Sequence, residues 1–191
     1  MALNEYQLFT TPVWQVDNQI DSETLADITA FAYDCAKRYP LATPVSKRNG
    51  FNSIPLSINH PALTAILQRS IQTVKEQYEP FVELRLEKYW ININPPGAYN
   101  VRHNHPRTVL ACTLYLQTPE NGGDIVFYNP NSAALFASYS NKRDHYNFSE
   151  FRITPTPGLF VAFPGWLDHS VDTNTSDTDR ISISMNVVER S

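Results

Sequence analysis

Hydrophobic and polar positions change their rhythm once along this chain. A helical spacing governs the first eighty residues and a two-residue alternation most of the rest. Leu25, Ile28, Phe31, Ala32 and Cys35 recur at three- and four-residue steps behind Asp21-Ser22, with Glu23 and Asp27 early in the run and Pro40 and Pro44 beyond it. This pattern predicts an amphipathic helix with an acidic start and a proline stop. A second helix is predicted from Asn59-His60-Pro61, because proline suits a first helical turn. Its apolar stripe is Leu63, Ile66, Leu67, Ile71, Val74 and Tyr78, and Pro80 ends it. Ahead of both, residues 8–16 (LFTTPVWQV) read as a strand interrupted at Pro12, which belongs at a sheet edge.

From residue 83 onward the pattern is that of strands: 83–94, 108–117, 124–128, 159–163 and 180–188. Pro95-Pro96-Gly97, Asn121-Gly122-Gly123 and Pro157-Gly158 are turn signals between them. Residues 129–156 have few periodic apolar positions and many Asn, Ser and Tyr, so they read as a long loop. Within it, 131–150 is a candidate substrate lid with Tyr139, Arg143 and Tyr146 as contacts; a plain surface excursion is the alternative. The predicted architecture is mainly β, with the helices covering one face of a sheet.

Composition narrows the class. The chain has 191 residues, 42% hydrophobic and 18% charged, which fits one folded domain over 1–191, helices mainly within 1–80 and strands about 83–188. Net charge is −4, and the densest basic spots, Lys47-Arg48 and Lys142-Arg143, read as solvated loop charges. A nucleic-acid partner is therefore not expected. Cys35 and Cys112 imply no disulfide framework, and each reads as a small buried hydrophobe. The N-terminus has no signal-peptide pattern and no stretch reaches membrane-span length, so a cytoplasmic protein is expected. Exposed edge strands leave a homodimer open.

Three of the five histidines carry the chemistry. His103 and His105 stand two apart in YNVRHNHP, and residues two apart in an extended segment face one side. His169 follows sixty-four residues after His105, in FPGWLDHSV, where a barrel of antiparallel strands brings it opposite the pair. Three imidazoles leave metal positions open for substrate or O2, unlike a closed structural zinc site. His60 reads as a helix-start residue and His145 as a loop residue. Arg180 and Ser182 alternate with Ile181 and so face one side of a strand. An arginine fork with a nearby hydroxyl suits the distal carboxylate of a metal-chelating keto acid. Tyr89 and Asn92 join the candidate pocket on position and residue type. Phe127, Phe160, Phe163 and Trp166 are candidates for excluding water, or simply for barrel core.

The stretches NPPGAYNVRHNHP, TLYLQTPENGGDIVFYNP, PGLFVAFPGWLDHSV and RISISMNV resemble the 2-oxoglutarate- and Fe(II)-dependent oxygenase superfamily. More narrowly, they resemble a family of oxygenases with HxH in this place. The resemblance implies a double-stranded β-helix (jelly-roll, cupin-like). It also implies Fe(II), 2-oxoglutarate and O2 as cofactors, and oxidation of a small molecule or protein side chain, such as hydroxylation, with release of succinate and CO2. By the same resemblance His103 and His169 are iron ligands, Arg180 and Ser182 bind the distal carboxylate, and Tyr115 lines the co-substrate pocket. The superfamily usually has HxD or HxE where His105 stands here. His105 then ligates directly, or sits behind the ligands, or gives way to a carboxylate such as Asp124. Asp168 is poorly placed, because neighbours on a strand face opposite ways. Gly97 to His105 also fits the opening of three-histidine cupin dioxygenases, which need no keto-acid clamp. A non-catalytic β-barrel binding module is the third possibility.

Overall fold

The computed structural model describes residues 10–39, 46–56, 60–78, 83–131 and 148–190. The proposed lid contacts Tyr139, Arg143 and Tyr146, and also His145, lie outside them.

Helix α1 (Ser22–Arg38) starts where the Asp21 carboxylate accepts from the Thr24 N–H at 2.8 Å, and it ends as Tyr39 N–H donates to the Cys35 carbonyl. Helix α2 (Pro61–Tyr78) opens on proline, with His60 Nδ1 accepting from the Leu63 N–H at 3.3 Å. His60 also faces Asp27 at 3.1 Å and packs against Phe31, so it ties the start of α2 to α1, as a helix-start residue should. No helix among the described residues is long and apolar enough to cross a membrane.

The strands are β1 (Trp14–Asp17), β2 (Lys47–Arg48), β3 (Phe51–Asn52), β4 (Leu84–Asn94), β5 (Tyr99–His103), β6 (Leu110–Gln117), β7 (Ile125–Tyr128), β8 (Glu150–Ile153), β9 (Leu159–Pro164), β10 (His169–Val171) and β11 (Arg180–Glu189). All pair antiparallel, in a six-stranded sheet ordered β1-β9-β6-β11-β4-β3 and a five-stranded sheet ordered β2-β5-β10-β7-β8. This is the double-stranded β-helix. β1 lies at an edge, where Pro12 just ahead of it costs no ladder bond.

The period-2 pattern sorts the larger sheet's residues onto two faces. Ile91, Ile93, Leu114, Leu116, Phe160, Ala162, Ile181, Ile183 and Met185 pack with Ile28, Ala32, Leu63 and Leu67 of the helices. Both helices therefore cover one face of this sheet, as their apolar stripes require. The other face meets the smaller sheet through Tyr115, Val161, Phe163, Phe127 and Ile125. Polar residues occupy part of that inner face, and there the two sheets enclose a cavity of about 340 Å³.

Two expectations fail at this level. The reading of 129–156 as unbroken loop is corrected at its end: Glu150–Ile153 pairs with β7 as an edge strand. Tyr89 does not line the cavity. It lies on the helix side of β4, 1% exposed within the larger core, and burial pushes its phenol up to about 12. Alternation explains the miss, since Trp90 and Asn92 take the cavity face and an odd-numbered neighbour must take the other.

Candidate active site

His103 ends β5 and His169 opens β10, and the two residues are direct register partners. His105 sits two residues past β5, in a turn held by its own N–H donating to the Gly165 carbonyl at 2.7 Å. The three ring nitrogens available for a metal lie within 4.8 Å of one another. Ring centroids are 4.2 Å apart for His103–His169, 5.2 Å for His105–His169 and 5.5 Å for His103–His105. Neither Asp124 nor any other acidic residue joins this group among the described residues.

Each imidazole is oriented from behind. Nδ1 of His103 lies 2.8 Å from the Val101 carbonyl, and Nδ1 of His169 lies 3.0 Å from the Leu167 carbonyl. Nδ1 of His105 lies 2.7 Å from the Asn186 side-chain oxygen on β11. These oxygens accept, so Nδ1 carries the proton and the Nε2 lone pair is left for a metal. Burial lowers the pKa of all three rings; for His169, burial and then His103 push it down to about 3. The rings are neutral at ordinary pH, the form that ligates. Three neutral nitrogen donors with no carboxylate and no thiolate fit an open Fe(II) site.

Asp168 is excluded from the metal by what it does instead. Its carboxylate accepts from Arg102 Nε and Asn104 Nδ2, both at 2.9 Å, and pairs with Arg102 Nη2 at 2.8 Å. The Asn104 bond first, and then Arg102, hold it below the usual carboxylate range. Arg102 and Asn104 alternate with His103 and His105 and both reach Asp168, so one carboxylate clamps the first pair of histidines to the segment that leads into the third. Arg102 also lies over the Tyr128 ring, 4.3 Å from its centroid.

Arg180, Ser182, Tyr115 and Asn92 come together. Ser182 is the register partner of both Tyr115 on β6 and Asn92 on β4, and Arg180 is that of Asn94. The β6–β11 register shifts between Ile181 and Ser182, and such bulges recur beside active sites. The Arg180 guanidinium sits 5.0 Å from the Tyr115 ring centroid. Arg180 is 3% exposed, and its Nε is buried without a hydrogen-bond partner among the described residues. A buried donor left unmet is costly unless a ligand meets it. Burial raises the Tyr115 phenol and Arg180 opposes the rise, so the hydroxyl stays protonated and able to donate.

Four further residues of this region escaped sequence reasoning: Asn186, Arg102, Asn104 and Lys47. Asn186 was legible in principle, as the last member of the series Arg180, Ser182, Ser184 and Asn186, all of which face the cavity. Lys47 corrects an expectation. The basic dipeptide is not a solvated pair, because Lys47 is 2% exposed on a two-residue strand and lines the cavity, and Arg48 alone points out. Of the aromatics, Phe163 meets the His169 ring edge-on at 4.6 Å and Phe127 lies 6.3 Å from it. Phe160 packs on the helix side, and Trp166 is 55% exposed, so neither shields the histidines.

The model of a family described as "Putative 2OG-Fe(II) oxygenase" matches residues 88–186, over half of the chain. No curated protein sequence matches it. Among solved structures, it is similar to a prolyl-4-hydroxylase from Pseudomonas putida at 16% identity and TM-score 0.68, with 96% of each chain covered. A prolyl hydroxylase from Trichoplax adhaerens, in complex with a hypoxia inducible factor oxygen degradation domain peptide fragment, matches at 15% identity and TM-score 0.67, covering 96% of this chain and 86% of that one. The epimerase SnoN, in complex with Fe3+, α-ketoglutarate and nogalamycin RO, matches at 14% identity and TM-score 0.70, covering 94% and 79%. At these identities the likeness is one of fold.

Proposed function

This chain belongs to the family of 2OG-Fe(II) oxygenases, oxidoreductases that work with Fe(II), 2-oxoglutarate and O2, and on that premise we propose that it hydroxylates a C–H bond of a small molecule or protein side chain. His103, His105 and His169 would hold the iron, with His105 a direct ligand in place of the usual carboxylate. Arg180, Ser182, Tyr115 and Asn92 would hold 2-oxoglutarate. The observation that carries this reading is the buried Arg180, which lines the same cavity as the histidines and whose Nε has no partner among the described residues.

When bound, iron with the keto acid and O2 supplies the oxidising power, and 2-oxoglutarate leaves as succinate and CO2. The protein's own residues bind and orient. Arg180 offers its fork to a carboxylate, and Ser182 and Tyr115 add hydroxyl donors. Val101, Leu167 and Asn186 keep the imidazole nitrogens aimed. Phe127 and Phe163 keep water from the side of His169 that faces the core. Lys88, Trp90, Asn104 and Pro106 rim the cavity and would meet the substrate.

The similar structures described above are two prolyl hydroxylases and an epimerase, so prolyl peptides and small organic metabolites are the substrate panel to screen first. Fe(II)-dependent succinate release should appear with at least one of them and vanish in His169→Ala. A three-histidine cupin-type dioxygenase shares the metal set but has no use for Arg180. Iron-dependent oxidation of a panel member without 2-oxoglutarate would establish that reading instead.

A further inference from the structure

A second cation shares the cavity with Arg180. Lys47 lies on β2, whose pairing with β5 sets Lys47 opposite Asn100. Its side chain crosses to the facing sheet, where Nζ donates to Asn94 Oδ1. Asn94 is the register partner of Arg180, so the ammonium arrives beside the residue that stands directly across from the guanidinium. The stem runs through space kept open by Gly50. A Cβ there would meet Lys47 Cδ and the Ile93 carbonyl, each at 2.9 Å.

An ammonium has three donors, and a buried one needs acceptors or a counter-charge. No Asp or Glu lines this cavity among the described residues. The charged group that acts on Lys47 is Arg180, on β11; its other close neighbours, Asn94 on β4 and Asn100 on β5, are neutral amides, and Arg48 on β2 donates outward to the Lys47 carbonyl. Tyr115 on β6 is an un-ionised phenol, and Asp124 acts on Tyr115 without reaching the cavity wall. Two buried cationic side chains therefore share one chamber without an anion. Burial, and then Arg180, hold the Lys47 ammonium well below its ordinary range.

We propose that Lys47 is a second binding residue for the distal carboxylate of 2-oxoglutarate, and that it takes up a proton as the co-substrate binds. The proposal rests on the co-substrate reading given above. In the empty cavity the charged form of the amine is disfavoured, because beside Arg180 and without an anion it has nothing to offset it. The incoming carboxylate supplies the missing anion and draws one proton from solvent onto Nζ. No bond is made or broken apart from that N–H. Binding then weakens as pH rises through the range between the empty-cavity and occupied-cavity values of Lys47.

The test is calorimetry of 2-oxoglutarate with Mn(II)-loaded protein at pH 7.5 and 8.5, in buffers of different ionisation enthalpy, so that proton uptake is counted directly. 2-Oxobutyrate, which has the keto-acid end but no distal carboxylate, is the control ligand. Wild type should take up as much as one proton with 2-oxoglutarate and none with 2-oxobutyrate. Lys47→Met should bind 2-oxoglutarate about ten- to a hundredfold more weakly, the usual scale for a hydrogen bond to a charged group. It should also lose the proton uptake and bind 2-oxobutyrate as wild type does. Lys47→Gln, which keeps a donor for Asn94, should behave the same way, showing that charge and not packing is at issue. Wild-type affinity and proton uptake in both variants would overturn the role of Lys47 while leaving the co-substrate reading intact. Equal weakening of both keto acids would also overturn it, in favour of a structural role. If wild type binds no 2-oxoglutarate while Arg180 is in place, the co-substrate reading falls and this inference falls with it.

Discussion

Asn186 gives the cleanest test of His105, because it touches that imidazole from behind and is not itself a candidate ligand. If His105 ligates the metal, Asn186→Leu should cost about ten- to a hundredfold in metal affinity, the usual effect of losing a partner that orients a ligand. A metal titration checks this, and an unchanged affinity would mean that His105 sits outside the coordination sphere. Asp168→Ala should weaken the metal in the same assay without removing a ligand, since the clamp through Arg102 and Asn104 is lost. Histidine spacing pointed to the metal group from sequence alone, because two residues apart on an extended segment means one face. Their supports were harder to see, because a carboxylate next to His169 looks like a ligand until its partners are known.

Among the elements, long strands were legible and short ones were not. β4, β6 and β11 run for eleven, eight and ten residues and alternate long enough to declare a face. β2 and β3 have two residues each and β10 has three, too few for any period to emerge. Yet β2 brings Lys47 and β10 brings His169, so the site depends on elements whose pairing only the assembled five-stranded sheet supplies. Tyr89 shows the converse error: the strand was placed correctly and the wrong face was assigned. Helix α2 packs on the side of the larger sheet away from the cavity. Leu67 is 0% exposed beneath it, so Leu67→Ala should destabilise by about 2–5 kcal/mol in denaturant unfolding, with metal affinity unchanged. Gly165 links stability to chemistry. A Cβ there would overlap the Thr108 carbonyl, and its own carbonyl holds the turn of His105. Gly165→Ala should therefore lower both the melting temperature and the metal affinity.

Across the whole molecule, the two sheets divide the work. The larger one is insulated on its outer face by the helices and offers Arg180, Ser182, Asn92 and Tyr115 on its inner face. The smaller one carries His103, His169 and Lys47. On the proposed reading, metal and co-substrate would together engage both sheets, and each should stabilise the fold by mass action. Saturation at a hundred times the dissociation constant is worth about 2.7 kcal/mol, so the melting temperature should rise with Fe(II) and rise again with 2-oxoglutarate. The most direct test of the central claim is anaerobic calorimetry of 2-oxoglutarate binding, with and without Fe(II), on wild type and Arg180→Met. Binding that requires Fe(II) and weakens by roughly a hundredfold or more in the variant is the predicted result. Iron uptake by the wild type with no binding of 2-oxoglutarate would contradict it.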